Sequence, residues 1–261
     1  KQSGKVILAT SEEQLQTVDR LMQNARANGI RAQRINAFEL HELEPAAAIG
    51  PAAIYCSDTA VIDSLAVLKK LHFLLEHQGV KFYFNCHVEG LPQTVTNQLQ
   101  TNQGIFSYGF VVNCAGAHAD TLARYFGLAQ EYALIPFKGI YWKLSSAANP
   151  LIRANIYPVP DVSLPFLGVH LTRVIGGDVY VGPTAIPVLG RENYRKLQGI
   201  CFSEAWNISC RLISMYFGNQ NNFRLLAKTE IAKYNKNVLS CCKKYYKRAQ
   251  FCYNVMMLGF I

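Results

Sequence analysis

The segment from Phe110 to Cys114 constrains this chain more than any other. So short and apolar a run has no obvious solvent face, so it reads as a strand at the centre of a sheet covered on both sides. It leads into Ala115-Gly116-Ala117-His118 and then a helical pattern through Leu122, Tyr125 and Phe126. Small residues where a strand ends let a ligand approach the backbone, and the free N–H groups of the next helix favour an anion. In open α/β sheets, ligands bind outside the carboxyl ends of the strands. The same pattern also makes a tight strand–helix turn with no ligand, and spacing alone does not choose between the two.

The residues before this segment alternate between strand and helix signals. Lys5–Ala9 reads as a short buried strand. Ser11 with Gln14 spells a capping box, followed by Leu15, Val18, Leu21, Met22 and Ala25 at helical spacing and a stop at Gly29. Residues 30–35 read as a second strand, and Asn36 with Glu39 as a second capping box before Pro45. Residues 46–62 are small and turn-rich. Asp63 then caps a helix with Leu65, Leu68, Leu71, Leu74 and Leu75 along it, ending at Gly79. Val80–Phe84 and His87–Leu91 read as strands, and Pro92–Gly104 as a polar loop.

After residue 130 the pattern changes. Segments 134–144, 154–158, 164–171 and 173–182 are short, rich in Tyr, Phe, Val and Ile, and separated by Pro and Gly. Ile175-Gly176-Gly177-Asp178 is a hairpin turn signal. From residue 194 onward the pattern is helical.

Half of the 261 residues are apolar, enough to bury a core and to exclude a disordered polymer. No apolar run approaches the ~20 residues of a membrane-spanning helix, and no signal peptide opens the chain. This leaves peripheral membrane contact open. Eight Cys without a CxxC pair suggest a reducing, cytoplasmic-type compartment and no zinc site. Cys86 and Cys114 lie in apolar stretches, where a free thiol acts as a small hydrophobe. The net charge of +9 is uneven: residues 223–261 carry eight Lys or Arg against Glu230, leaving +2 for the rest. Such a tail reads as a solvated basic helix rather than a nucleic-acid stripe.

Three further constellations could carry chemistry. In residues 156–173, Gly168-Val169-His170 puts a His on a strand with Arg173 beyond it. That suits general-base work on a hydroxy acid, although a His in an apolar strand is more often a hydrogen-bonded core residue. Lys138, between aromatics up to Tyr141 and Trp142, could hold a carboxylate or stand exposed on an edge strand. Gly182-Pro183 with Thr184, followed by Arg191-Glu192-Asn193-Tyr194, could be a loop beside a planar cofactor or an ordinary turn before a surface helix. No Gly-x-Gly-x-x-Gly follows a strand, and no Gly-x-Ser-x-Gly, Walker loop or His-Glu-x-x-His occurs.

Taken together, the segments GKVILATSEEQL (4–15), ANGI (27–30), ELHELEPA (39–46), VVNCAGAHADTLARYFGL (111–128), IPFKGIYWKL (135–144), the long block 156–186 and RENYRK (191–196) resemble the L-2-hydroxyglutarate dehydrogenase/oxidase family. This family lies within the D-amino-acid-oxidase-like flavoproteins. The resemblance covers residues 1–200. It implies an α/β (α+β) chain in which a partial FAD-binding Rossmann-like domain is interleaved with an antiparallel-sheet substrate domain. The boundaries are 1–45 and 131–222 for the substrate domain, 46–130 for the FAD domain and 223–261 for the basic tail.

The resemblance further implies FAD as cofactor and oxidation of a small 2-hydroxy dicarboxylate to its 2-oxo acid. Val88, Cys114, Ala115, Gly116, Gly182 and Pro183 would lie beside the FAD, and Lys138, Tyr141, His170 and Arg173 would face the substrate. Within that set, His170 is the expected acceptor of the hydroxyl proton, with cations clamping the carboxylates. Lys138 stands where the family usually has Arg, and Thr184 where Asn is usual. The family's Gly-rich phosphate loop would precede Lys1 and its closing flavin segment would follow the tail. A non-catalytic fragment of such an enzyme and a related flavin amine oxidase are the alternatives.

Overall fold

A computed structural model describes residues 1–93, 96–161, 168–195, 198–218, 223–224, 227–228 and 256–258. The apolar alternation of Lys5–Ala9 makes β1, with Val6 and Leu8 facing one core and Ala9 another. The turn at Ser11 differs from the expected box. Gln14 Oε1 accepts from the Thr10 amide at 2.7 Å, and Ser11 makes no side-chain cap. A 3-10 turn then leads into α1 (Leu15–Ala27), which Gly29 ends at φ +66°. β2 (Ala32–Ile35) follows, then α2 (Ala37–Leu43), whose capping box from Asn36 and Glu39 is complete. The turn-rich stretch after Pro45 contains an unexpected strand, β3 (Ala52–Cys56).

Asp63 caps α3 (Ser64–His77) through the Ala66 amide. Three short strands form a small antiparallel sheet: β4 (Val88–Gly90), inside the expected strand His87–Leu91, β5 (Gln98–Thr101), inside the stretch read as a polar loop, and β6 (Gly104–Ser107). After the 3-10 turn Gly116–His118 comes α4 (Ala119–Tyr125). The later half supplies β7 (Phe137–Lys143), β8 (Asn155–Pro158), β9 (His170–Arg173), β10 (Val179–Pro187), α5 (Phe202–Gly218) and β11 (Met256–Leu258). The turn at 174–178 joins β9 to β10, as its glycines signal.

The large sheet has eight strands in the order β11-β7-β10-β9-β8-β1-β3-β2. It joins the N-terminal strands to the later ones through a parallel β1–β8 pairing, with Lys5 opposite Asn155 and Ile7 opposite Tyr157. Its main core lies on one face, where Val6, Leu8, Ile156, Leu171, Val179 and Val181 pack with Ile152 and Leu40. On the other face, α1 covers β3 and β2.

Two expected strands are absent. Val80–Phe84 and Phe110–Cys114 belong to no sheet, and Phe84, Phe110 and Val112 are exposed. Phe110 and Val112 are 85% and 73% accessible, the reverse of a central strand, because no described strand flanks either segment. Cys114 is likewise exposed rather than packed as a hydrophobe. α3 buries no residue although Leu65, Leu68, Leu71 and Leu75 run along it. A helix apolar around most of its surface ordinarily lies inside a core. No described helix is long and apolar enough to cross a membrane.

Glu44 is fully buried, and its Oε2 accepts from the Arg153 and Ala154 amides at 2.6 and 2.8 Å. Burial raises its pKa against the lowering effect of those N–H groups. A raised folded-state value gives stability that is full below the ordinary glutamate range and is lost as pH rises through the raised value. Glu44→Gln therefore flattens the stability–pH profile in urea titrations. Glu44→Ala, which strands two buried amides, costs about 2–3 kcal/mol. The exposed α3 stripe makes the chain bind the dye ANS, and a Leu68→Glu, Leu71→Glu double variant lowers that fluorescence.

Candidate functional site

Side chains along a strand alternate between faces, and this sorts the expected site residues. In β9, His170 and Thr172 point to one face, and Leu171 and Arg173 to the core face. The register sets Leu171 opposite Ile156 and Val181, and Val181 opposite Trp142. His170 therefore shares its face with Tyr157 of β8 and Tyr141 of β7. Gly182 pairs directly with His170. A Cβ on Gly182 would meet Ile140 O at 2.7 Å and the Tyr141 ring at 3.0 Å, so only glycine lets that ring lie over the β10 backbone. The register shift between Val181 and Thr184 contains the cis Gly182–Pro183 bond, and Pro183 would touch a Cβ at Gly139 on this same face.

His170 is buried, with 7% of its surface accessible. Its ring stacks on Tyr157 at 4.2 Å between centroids and 13° between planes. Nδ1 lies 3.0 Å from the Gly168 carbonyl oxygen. A carbonyl only accepts, so Nδ1 carries the proton and Nε2 is left as the basic nitrogen. Burial lowers the His170 pKa, with the Gly168 contact opposing it, so the ring is a neutral base at neutral pH. Burial, and next the nearby Tyr157 phenol, raise the pKa of Tyr141, which stays a neutral donor.

Lys138 and Arg173 do not join this group. Lys138 alternates with Gly139 and Tyr141 onto the opposite face, where its Nζ lies 3.5 Å from Asn193 Oδ1 and burial lowers its pKa. Arg173 Nη1 donates to the carbonyls of Asn149 and Ile152 at 2.9 and 2.7 Å. Its guanidinium thus ties the end of a 3-10 turn to β9 and lines a shallow cleft with Ser3, Val61 and Arg153. The expectation that Lys138, Tyr141, His170 and Arg173 face one substrate is split by strand alternation into two faces.

The Ala115–Gly116 turn is open. Gly116 has φ +54°, and a Cβ added to it would meet no atom within 4 Å, while Cys114 and Ala115 are exposed. α4, which follows it, packs against β4, the strand of Val88. A polar lock anchors the same helix. Asp120 accepts from Arg191 Nη1 and Nη2 at 2.7 and 2.9 Å, from Arg124 at 2.8 Å and from the Leu134 amide. Burial pushes the Asp120 pKa up, but these hydrogen bonds and the Arg191 charge outweigh it and hold the value below the usual range. His118 Nε2 lies 2.9 Å from Glu192, giving a second tie between the same segments.

Sequence reasoning missed Tyr157, which lay inside the block singled out for His170, and Asp120. It read Arg191 only as part of a loop or helix start. The Asp-x-x-x-Arg spacing of Asp120 and Arg124 was a visible helical pair, but no local pattern pairs Asp120 with a residue 71 positions away.

The backbone at Ala115–Gly116 is open to solvent and leaves room for a ligand to approach it. The described residues supply no glycine-rich turn that could cradle a pyrophosphate, and the sequence has no Gly-x-Gly-x-x-Gly. Any room the described residues leave for a flavin dinucleotide is thus at this open turn, not at a phosphate cradle.

Comparison with known proteins gives a consistent result. Residues 1–216 match the DAO family, described as FAD dependent oxidoreductase. The L-2-hydroxyglutarate dehydrogenase of Escherichia coli (strain K12) is 34% identical over 207 residues, covering 78% of this chain and 49% of that protein. The mitochondrial L-2-hydroxyglutarate dehydrogenase of Homo sapiens is 29% identical over 209 residues, covering 75% of this chain and 45% of that protein. The chain thus spans about half the length of the curated relatives it matches. Among solved structures, the L-alpha-glycerophosphate oxidase of Mycoplasma pneumoniae with FAD bound has a TM-score of 0.61 at 21% identity. The match covers 80% of this chain and 56% of that one, a likeness of fold.

The lock makes a direct prediction. Asp120→Asn loses the bidentate ionic contact to a largely buried Arg191 and costs about 3 kcal/mol in denaturant unfolding. Because the folded-state value is depressed, the wild-type contribution is present above the ordinary aspartate range and is lost as pH falls through the depressed value. The Asn variant lacks that acid-side loss, and α4 amides exchange faster in it.

Proposed function

This chain belongs to the FAD dependent oxidoreductase (DAO) family, and from that premise we propose that it serves the oxidation of a small 2-hydroxy dicarboxylate of the L-2-hydroxyglutarate type to its 2-oxo acid. The observation that carries this reading is the His170 geometry: a neutral imidazole, protonated at Nδ1 by its contact with Gly168, with Nε2 left as base.

Turning a C2 alcohol into a ketone removes a proton from the hydroxyl oxygen and a hydride from C2. A flavin held at the ledge of Cys114, Ala115 and Gly116, with Val88, Gly182 and Pro183 nearby in this reading, supplies the two-electron acceptor. The chain's own residues handle the proton and the orientation. His170 Nε2 accepts the hydroxyl proton, becoming imidazolium, and releases it to solvent afterwards. Tyr141 donates a hydrogen bond from its phenol to the substrate. Gly182 lets these two rings share one face. A positioned base of this kind contributes ~10²–10⁴ in rate. The name of the E. coli relative and the match to its sequence favour the hydroxy acid over an amine as substrate.

The test is reconstitution with FAD, followed by stopped-flow reduction with L-2-hydroxyglutarate. A protein that takes up FAD, shows a flavin absorbance band and is bleached by this acid supports the reading. His170→Gln then slows reduction by about 10²-fold or more. In the wild type the rate falls as pH drops through the depressed His170 value, where Nε2 becomes protonated. Full reduction rates in His170→Gln, or bleaching by amino acids in place of the hydroxy acid, overturn it.

A further inference from the structure

The face that carries His170 also carries one cation that the sequence did not single out. Lys5 opens β1, half-buried, and alternates with Ile7 onto the side of Tyr157. The parallel β1–β8 pairing and the antiparallel β8–β9 pairing set three adjacent strands in the order Lys5, Tyr157, His170. Lys5 Nζ lies over the Tyr157 ring at 5.5 Å from its centroid, and the His170 ring stacks on the same Tyr at 4.2 Å. The aromatic ring is therefore a spacer between a cation and a base.

The other charged groups of this face are accounted for. Arg34 of β2 is paired with Asp19, Lys143, further along β7, is paired with Asp178, and Tyr141, Tyr157 and Tyr180 are phenols. Among the described residues Lys5 has no carboxylate partner within ion-pair distance, and His170 Nε2 has no hydrogen-bond partner. A half-buried ammonium held over a ring is only partly compensated by the ring's quadrupole, and it recovers more by meeting an anion. Lys138 and Arg173, the cations first expected to bind carboxylates, are turned to the other face.

We propose that Lys5 anchors a carboxylate of the substrate, and that Tyr157 is a positioning residue that sets the distance between this anchor and Nε2 of His170. The inference rests on the reading of His170 as the base of a hydroxy-acid site and names the group that recognises the acid. A ligand with a carboxylate at one end and a hydroxyl a few bonds away meets the cation with the first and the base with the second. Lactate carries its hydroxyl and its only carboxylate on one carbon, too close together to reach across the Tyr157 ring from Lys5 to His170, so the row favours a 2-hydroxy acid with a second, distal carboxylate. The Tyr157 hydroxyl, 3.5 Å from Thr172 Oγ1, steadies the ring in its plane.

The experiment uses glutarate, which has both carboxylates and no hydroxyl to oxidise, titrated into the purified full chain without FAD. Imidazole ¹⁵N spectra, assigned with His170→Gln, report binding and the His170 tautomer. The wild type is expected to show the Nδ1–H tautomer, a glutarate-dependent shift of Nε2 and a rise in the His170 titration midpoint on binding, as a nearby anion favours imidazolium. Lys5→Met, which keeps the stem but not the charge, weakens glutarate binding at least tenfold. Lys5→Arg restores most of it.

Tyr157→Phe keeps the tautomer, and Tyr157→Leu mixes the two tautomers while circular dichroism stays unchanged. A wild type that binds no glutarate, or that carries the proton on Nε2, overturns the proposal, as does Lys5→Met binding at wild-type strength. These outcomes are separable from the catalytic reading. Lys5-dependent glutarate binding without L-2-hydroxyglutarate oxidation sinks only the latter. Oxidation with an unchanged KM in Lys5→Met sinks only the anchor.

Discussion

The two-residue alternation of the extended chain, pinned by strand register, is the constraint on which the candidate site depends. Leu171 stands opposite Ile156 and Val181, and those pairings hold Leu171 in the main core. A slip of one residue in β9 would bury His170 there and turn Leu171 to the open face. The same register sets Gly182 between Tyr141 and His170, where its missing side chain gives the two rings a common floor. Chemistry on this face thus follows from packing on the other.

What pins the register is largely polar and buried. Asn149 accepts from the Val179 amide at 3.0 Å and donates to Asp178 at 3.1 Å. Asn155 accepts from the Arg173 amide at 2.8 Å and donates to Ser3. Glu44 holds the two amides that lead into β8. Together with the Arg173 guanidinium on the Asn149 and Ile152 carbonyls, these bonds use side chains to satisfy the backbone of a connection that has no ladder of its own. They fix where β8 enters beside β1, and so which residues of the two strands become neighbours. Arg173 is better understood as a member of this framework than as a ligand for substrate.

Much of this was legible in the amino-acid pattern, and the failures have physical causes. The Asn36–Glu39 cap, the Asp63 cap, the stop at Gly29 and the 174–178 turn are local devices, encoded within four or five residues. β3 was hidden because Ala52 and Ala53 are small and follow Pro51, although Ile54 is fully buried between β1 and the edge strand β2. Arg173 was grouped with His170 by proximity in sequence, and Lys138 by the family resemblance. The odd spacing of Arg173 from His170, three residues on one strand, already placed the two on opposite faces. The match to known relatives identified the family, but not which side chains of the 156–186 block share a surface. The long-range pairs, Asp120 with Arg191 and Glu44 with the Arg153 amide, carry no local signature.

Phe110–Cys114 and α3 have the composition of an α/β layer and the exposure of a surface. Each Leu side chain taken from water into a core is worth about 1.5–3 kcal/mol, so the stripe on α3 holds a large unused driving force for burial. The ledge at Ala115–Gly116 nevertheless does not float free of the sheet. α4 begins immediately after it and is held by Asp120 to Arg191, while His118 meets Glu192 on the same segment. That segment follows β10 directly, and β10 carries Gly182. The open turn at Ala115–Gly116 and the strand that floors Tyr141 and His170 are therefore linked through the Asp120–Arg191 ion pair, the His118–Glu192 contact and a few residues of chain. Their relative placement is set by electrostatics in this part of the molecule, where the hydrophobic layer that would ordinarily set it stands uncovered.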